Sequence, residues 1–266
     1  HVASGQRAVA HRLDLDSGTF LSDLEVGSPS SCCDLGRGVP LAAFGCEDGV
    51  VRFFDARTSS IQPVALLDVG NDVTSLKFDK DGLNLACGTS DAEVKLYDLR
   101  SKRPTLTKAH QNLLPIVDLK WHSSSKETAS QLILSSDSRV LKAWDSRDGK
   151  VFTNVEPSSP LNHVAVAPSS DERDSGLILM AGEQSRVMAY YVPALGRAPR
   201  WCAFLDSLTE ELEEKGQSHF EDYRFVSRTE LEELGGEAFV GTQQLRAHAH
   251  GFFMDARLYG SRRPAV

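Results

Sequence analysis

Leu141-Lys142-Ala143-Trp144-Asp145-Ser146-Arg147 runs from an apolar start to an aromatic residue, an aspartate and, two positions on, an arginine. The same order occurs twice upstream, as Val94-Lys95-Leu96-Tyr97-Asp98-Leu99-Arg100 and as Val51-Arg52-Phe53-Phe54-Asp55-Ala56-Arg57. The three aspartates are spaced by 43 and then 47 residues. Self-similarity at that period marks a repeat architecture, in which each copy is one supersecondary unit. A weaker copy, Val187-Met188-Ala189-Tyr190-Tyr191, has Tyr190 in the place of Trp144, and a degenerate one ends at Leu15-Asp16-Ser17-Gly18.

The flanks of each copy agree on its internal structure. An apolar strand and a tight turn precede the aromatic-Asp strand: Leu41 to Gly45 then Glu47-Asp48-Gly49, Leu83 to Gly88 then Ser90-Asp91, Leu132 to Ser135 then Asp137-Ser138, and Leu177 to Gly182 then Gln184-Ser185. Such turns between short apolar runs signal hairpins. Further upstream a strand alternates with period two, as from Val73 to Phe78. Each unit therefore reads as a four-stranded antiparallel blade, which cannot bury both faces alone and must stack on its neighbours. The expected fold is all-β: a WD40-type β-propeller, about four to five blades present, with a short helical C-terminal extension. A generic β-sandwich is the competing fold, and the aromatic-Asp-x-Arg repeat at blade spacing argues against it. Three blades are clear and two partial. Because a closed ring usually needs more, and the chain opens at His1 without Met, a fragment of a longer protein is expected.

Within the motif the roles are structural. Trp144 is expected to pack between blades. Asp55, Asp98 and Asp145 should satisfy backbone donors at their turns, and Arg57, Arg100 and Arg147 should pair with a neighbouring blade. His110, just before a strand, stands where WD40 blades often carry a structural histidine, although the other blades lack one.

Bulk composition excludes several function classes. Hydrophobic residues make up 41% and charged residues 25%, as in ordinary globular chains. No apolar run approaches the roughly 20 residues needed to span a bilayer, and no signal segment opens the chain. The formal net charge of −8 makes the whole chain a poor non-specific polyanion binder. Any RNA binding should be weak and strongly salt-dependent, with Arg257, Arg262 and Arg263 as one local basic patch. The five cysteines, none in a C-x-x-C pair, suit a reducing compartment. No G-x-S-x-G elbow, P-loop, H-E-x-x-H helix or paired Cys/His ligand set occurs. No enzyme, cofactor or metal is expected, since His248 and His250 alone are too few ligands.

The composition changes near Leu195, which divides the chain into blades over 1–196 and an extension over 197–266 with short helices packing on or beside the propeller. Gly196-Arg197-Ala198-Pro199-Arg200-Trp201 is a stiff connector. Ser207 with Glu210, and Ser227 with Glu230, read as capping boxes opening two short acidic helices. Leu205, Leu208 and Leu212 share a face of the first, and Gly235-Gly236 closes the second. The apolar run Leu245 to Asp255 either folds back on the propeller or meets a partner. Arg200, Trp201, Phe252 and Phe253 are the candidate partner-binding residues.

Two stretches carry a family resemblance: Ala198-Pro199-Arg200-Trp201-Cys202-Ala203-Phe204-Leu205-Asp206-Ser207-Leu208-Thr209-Glu210-Glu211-Leu212-Glu213-Glu214, and His250-Gly251-Phe252-Phe253-Met254-Asp255-Ala256-Arg257-Leu258-Tyr259. They closely resemble the segments that follow the propeller in the nucleolar protein 10 family, called Enp in yeast. Leu96 to Pro104 and Ser135 to Lys142 are similar too, and the resemblance covers roughly Gly5 to Tyr259. It implies a nucleolar assembly factor: a scaffold of the small-subunit processome, acting in pre-rRNA (18S) processing within the pre-ribosomal particle. It also implies AATF-type and neuroguidin-type partners, and supplies no catalytic residues. Ser158 to Ser175 and Lys215 to Phe220 depart from the family pattern, so nothing is carried over there. The rival reading is a substrate receptor for a cullin-RING ubiquitin ligase, since Trp144-Asp145-Ser146-Arg147 matches the WD-x-Arg motif of such receptors.

Overall fold

The computed structural model describes residues 2–3, 8–58, 60–123, 131–169, 174–209, 223–233, 239, 245–248, 251–255 and 259. The chain divides into two units, His1–Cys202 and Ala203–Val266.

Among the described residues the first unit is five antiparallel sheets in chain order. Sheet 1 holds β1 (Val2–Ala3), β2 (Val9–Leu13) and β3 (Phe20–Glu25). Sheet 2 holds β4 (Ser30–Leu35), β5 (Leu41–Cys46), β6 (Val50–Asp55) and β7 (Ala65–Asp68). Sheet 3 holds β8 (Val73–Phe78), β9 (Asn84–Thr89), β10 (Glu93–Asp98) and β11 (Leu106–Ala109). Sheet 4 holds β12 (Asp118–Ser123), β13 (Gln131–Ser136), β14 (Leu141–Asp145) and β15 (Val151–Val155). Sheet 5 holds β16 (Leu161–Pro168), β17 (Asp174–Gly182) and β18 (Met188–Tyr191). Each strand pairs with the next in sequence, so every sheet is a meander.

The core sits between sheets, and strand alternation explains why. In β6, Phe54 joins Ala10 and Leu24 of sheet 1 and Val26 just after it, while its neighbour Phe53 joins Val73, Leu76 and Phe78 of sheet 3. In β10, Tyr97 faces back to sheet 2 and Leu96 forward to sheet 4. In β14, Trp144 faces back to sheet 3 and Ala143 forward to sheet 5. The aromatic before each aspartate thus always points to the preceding sheet, because successive side chains leave opposite faces of a strand. Four clusters fill the four gaps between five sheets. These are β-propeller blades, each stabilised only by its neighbours.

Two turns repeat with different residues. Gly49, between β5 and β6, has φ of 77°, and Ala92, in the same place between β9 and β10, has φ of 62°. Both accept a backbone hydrogen bond from the following connection: Val69 donates to Gly49 at 2.9 Å and His110 to Ala92 at 2.8 Å. In sheet 1 the turn is built by Asp14 rather than Asp16. Asp14 takes the place of Asp55, its Oδ1 accepting the Asp16 N–H at 3.1 Å.

The second unit holds α1 (204–209), β19 (Tyr223–Ser227), α2 (Arg228–Glu233), β20 (Leu245–His248) and β21 (Gly251–Asp255). The three strands form one antiparallel sheet with β21 central. The helix of α1 begins three residues before Ser207, which therefore lies inside it and does not cap it. Ser227 does cap α2: its Oγ accepts the Glu230 N–H at 3.2 Å, and the Glu230 carboxylate accepts the Tyr259 hydroxyl at 3.0 Å. Val226, Leu231, Met254 and Tyr259 make the small core. Glu210 to Glu214, Leu234 to Gly236, His250, Arg257, Arg262 and Arg263 lie outside the described residues.

Candidate functional site

The repeated aspartates share one geometry. Asp55, Asp98 and Asp145 each accept through Oδ1 the N–H of the residue two positions on, Arg57, Arg100 and Arg147, at 2.9 Å in all three. The carboxylate closes the turn on itself, and the arginine side chain is left on the outside, exposed in each case. Arg57 does not reach a neighbouring blade. It returns on its own aspartate, Nε at 3.1 Å and Nη2 at 2.8 Å, and this hydrogen bonding lowers the Asp55 carboxyl to about 2.

His110 anchors a buried relay, in which the side chains of His110 and Asp137 are fully enclosed. The Trp144 indole N–H donates to Ser135 Oγ at 2.8 Å. Ser135 Oγ meets His110 Nε2 at 2.8 Å, and His110 Nδ1 meets Asp137 at 3.0 Å. Burial lowers the His110 pKa, so the ring is neutral with one donor and one acceptor. The consistent assignment has Ser135 donating to Nε2 and Nδ1–H donating to Asp137. Burial pushes the Asp137 carboxyl up, but hydrogen bonds from His110, Arg139 and Val140 outweigh it, and the net direction is down. Asn112 adds a further donor to Asp137 at 3.2 Å.

A Ser-His-Asp order invites a catalytic reading, and the geometry answers it. Ser135, His110 and Asp137 are all buried, and the serine oxygen already accepts the Trp144 indole N–H. A nucleophile needs a site for the reacting atom beside it; here that volume is protein. The relay instead fixes the β11–β12 connection to sheet 4. His110 is legible in the sequence as a structural histidine, whereas Ser135 and Asp137 are not singled out there for this role. Their signal is positional: an aspartate and a serine seven and nine residues before the blade tryptophan.

Carboxylates also bracket neighbouring blades. Asp34 accepts Lys77 Nζ at 2.5 Å and the Phe78 N–H at 2.8 Å. Asp118 accepts the Val164 N–H and pairs with His163, both at 2.9 Å. Asp174 accepts the Ser123 N–H at 2.9 Å and pairs with Lys80 at 3.3 Å. A cavity of about 490 Å³ opens beside the Asp34–Lys77 and Asp174–Lys80 pairs, with Arg37, Asp79, Lys120 and Trp121 also in its wall.

The remaining candidates scatter. Arg200 and Trp201 lie on a 3-10 turn, Arg200–Cys202, in the first unit, where Trp201 is 70% exposed. Phe252 and Phe253 lie on β21 of the second unit. Phe252 is half-buried against Val226 and Met254, so packing accounts for part of it; the Phe253 side chain is outside the described residues. Burial pushes the Cys32 thiol up to about 12 and raises Cys46 and Cys87, so these sulfurs stay protonated and unreactive. Among the described residues no three His, Cys, Asp or Glu side chains gather as a metal site, and no helix is long and apolar enough to cross a membrane.

Blades that share their cores, closed by Asp-x-Arg turns, define a β-propeller protein of the WD40 type. Residues 1–216 match the family model for the N-terminal domain of nucleolar protein 10-like proteins, and residues 219–266 match that for the second domain. The chain belongs to the nucleolar protein 10 family. It is 42% identical to nucleolar protein 10 of Xenopus laevis over 96% of its own length, and 42% identical to that of Homo sapiens over 96%. It is 39% identical over 94% of its length to the ribosome biogenesis protein enp2 homolog of Schizosaccharomyces pombe. It spans only 37% of the Xenopus and human proteins and 41% of the yeast one. A chain in the crystal structure of the mitotic checkpoint complex superposes with a TM-score of 0.60 at 19% identity, covering 71% of this chain and 56% of that one; this likeness is one of fold.

Proposed function

We propose that this chain is a non-catalytic scaffold of ribosome biogenesis, working in the nucleolus within the small-subunit processome on 18S precursor processing. One observation carries this: both of its domains match the nucleolar protein 10 family, whose yeast relatives are named for ribosome biogenesis. The buried relay supports a binding role, since its Ser-His-Asp groups are enclosed and tie the β11–β12 connection to sheet 4. AATF-type and neuroguidin-type proteins are the partners this reading expects.

Affinity purification of the tagged protein from nuclear extract tests it. Recovery of pre-ribosomal particles with 18S precursors is the expected result. Recovery of a cullin adaptor without those particles would replace this reading with the ubiquitin-ligase receptor.

A further inference from the structure

The turns of the first unit fall at two ends. At one end lie the turns joining first to second and third to fourth strands, tied together by Ala56 N–H to Pro40 O at 2.9 Å, Leu99 to Leu83 at 3.0 Å and Ser146 to Gln131 at 3.1 Å. At the other lie the second-to-third turns and the connections between sheets, tied by the Val69–Gly49 and His110–Ala92 bonds.

Charge divides between these ends. The first carries Arg57, Arg100, Arg103 and Arg147 in third-to-fourth turns, with Arg37 and Lys80 in first-to-second turns, all exposed. The second carries exposed Glu47, Asp48, Asp91, Glu156 and Glu183 against exposed Arg139 and Arg186. A net charge of −8 gives no hint of this. Each Asp-x-Arg turn presents an exposed arginine at this end, three sheets in succession, with the less exposed aspartate behind it; in sheet 2 that arginine, Arg57, is paired with its own Asp55 at 2.8 Å. Exposed acids do occur on the basic end, at Asp16, Asp81 and Asp148; Asp148 is held by Lys150 at 3.0 Å, and Lys80 is itself paired with Asp174 at 3.3 Å.

The basic end is also concave. The cavity of about 490 Å³ opens there with Arg37, Lys77, Lys80, Lys120 and Trp121 in its wall beside the carboxylates of Asp34, Asp79 and Asp174, and a recess of about 300 Å³ shares Trp121 and adds Arg147. The Trp121 indole is fixed by a 3.0 Å hydrogen bond from its N–H to the Lys77 carbonyl.

We propose that this end of the propeller is a face for single-stranded RNA. The phosphate backbone crosses successive blades along the turn arginines, and Trp121 offers a fixed aromatic surface in the recess, the combination that binds single strands with little sequence preference. An array of cations spread over three sheets suits a polymer charged at every unit better than a peptide with a few acids. The inference rests on the ribosome-biogenesis reading for the source of the RNA.

The test is fluorescence anisotropy of the 266-residue chain with a labelled oligouridylate of about 20 nucleotides, titrated across KCl concentrations. Binding is expected to be weak and to fall steeply with salt. The triple variant R37E/R100E/R103E should bind about tenfold or more weakly at low salt. Its salt slope should be shallower by about 2, at roughly 0.7 for each phosphate no longer neutralised. The variant R37K/R100K/R103K should bind like the wild type, and R139E/R186E, at the acidic end, should change affinity less than twofold. The proposal is overturned if the triple variant weakens binding less than twofold, or if the two charge reversals weaken it equally. It is also overturned if polyglutamate displaces the RNA at equal charge concentration, which would assign the face to an acidic peptide. Failure of the RNA arms with co-purification of pre-ribosomal particles intact would sink this inference alone.

Discussion

At the scale of single residues the buried histidines make stability depend on pH. His110 and His122 both have pKa values lowered from 6.5, each first by burial. His122 donates Nε2–H to the Ser175 carbonyl at 3.1 Å, and its Nδ1 has no partner among the described residues, so protonation there would strand a charge. As pH falls through 6.5 the unfolded chain takes up protons that the folded one refuses. Stability is therefore complete above 6.5 and is lost as pH falls from there toward the lowered folded values, with a limiting slope of about 1.4 kcal/mol per pH unit for each histidine. Asp137, whose pKa is lowered from 3.8, adds a loss only at lower pH. The urea midpoint should drop between pH 7 and pH 5, and H110Q should drop less steeply over the same range. A wild-type midpoint constant across that range would show that neither ring is held neutral.

Among the elements, the β11–β12 connection stands out because it carries Leu113 with φ of 52° and 81% of its surface exposed. A left-handed conformation costs a leucine about 1–2 kcal/mol, and a side chain so exposed buries too little to repay it. The His110 and Asn112 bonds to Asp137 hold the backbone in place around it. Replacing Leu113 by glycine removes that strain and gives back part of it through the freer unfolded chain. A net gain of about 0.5–1 kcal/mol in chemical denaturation is expected; a loss would show that Leu113 makes a contact that counts. Elements of this kind mark the limit of what the sequence shows. The third strands are legible because Phe54, Tyr97 and Trp144 each combine one aromatic with one turn aspartate. The fourth strands β7, β11 and β15 carry no such mark, and half or more of each is exposed. The sheet of the second unit escapes sequence reading for a related reason: Gly251-Phe252-Phe253-Met254-Asp255 does not alternate, and its partner β19, Tyr223–Ser227, runs directly into a helix. The turn aspartates can be read residue by residue, but the brackets at Asp34, Asp118 and Asp174 join residues 44, 46 and 51 positions apart. No local pattern announces a bond of that span.

For the first unit as a whole, cooperativity runs across sheets and protection runs within them. Each core cluster is shared by two neighbours, so a residue in one sheet supports the strands of the one before it. Trp144 belongs to β14 but packs against Ala86, Val94 and Leu96 of sheet 3, and its indole N–H sustains the relay through Ser135 to His110. Truncation to alanine removes both, at about 3–5 kcal/mol for a buried tryptophan, more than the cost of the side chain's area alone because the serine and histidine lose a partner. Native-state hydrogen exchange reads where that loss goes. In the wild type the amides of β5, β9 and β13, buried along nearly their whole length, should exchange slowest, and those of β3 and β15, mostly exposed, fastest. In W144A, protection should fall in β9 and β10 of the preceding sheet as well as in β13 and β14. The strands of the Ala10–Leu24–Phe44–Phe54 cluster, which does not include Trp144, should keep their wild-type exchange rates. If protection is lost only within sheet 4, the blades fold as independent units and the shared cores do not couple them. If it is lost uniformly, the five sheets unfold as one, and the nearest-neighbour picture of a repeat fold fails for this chain.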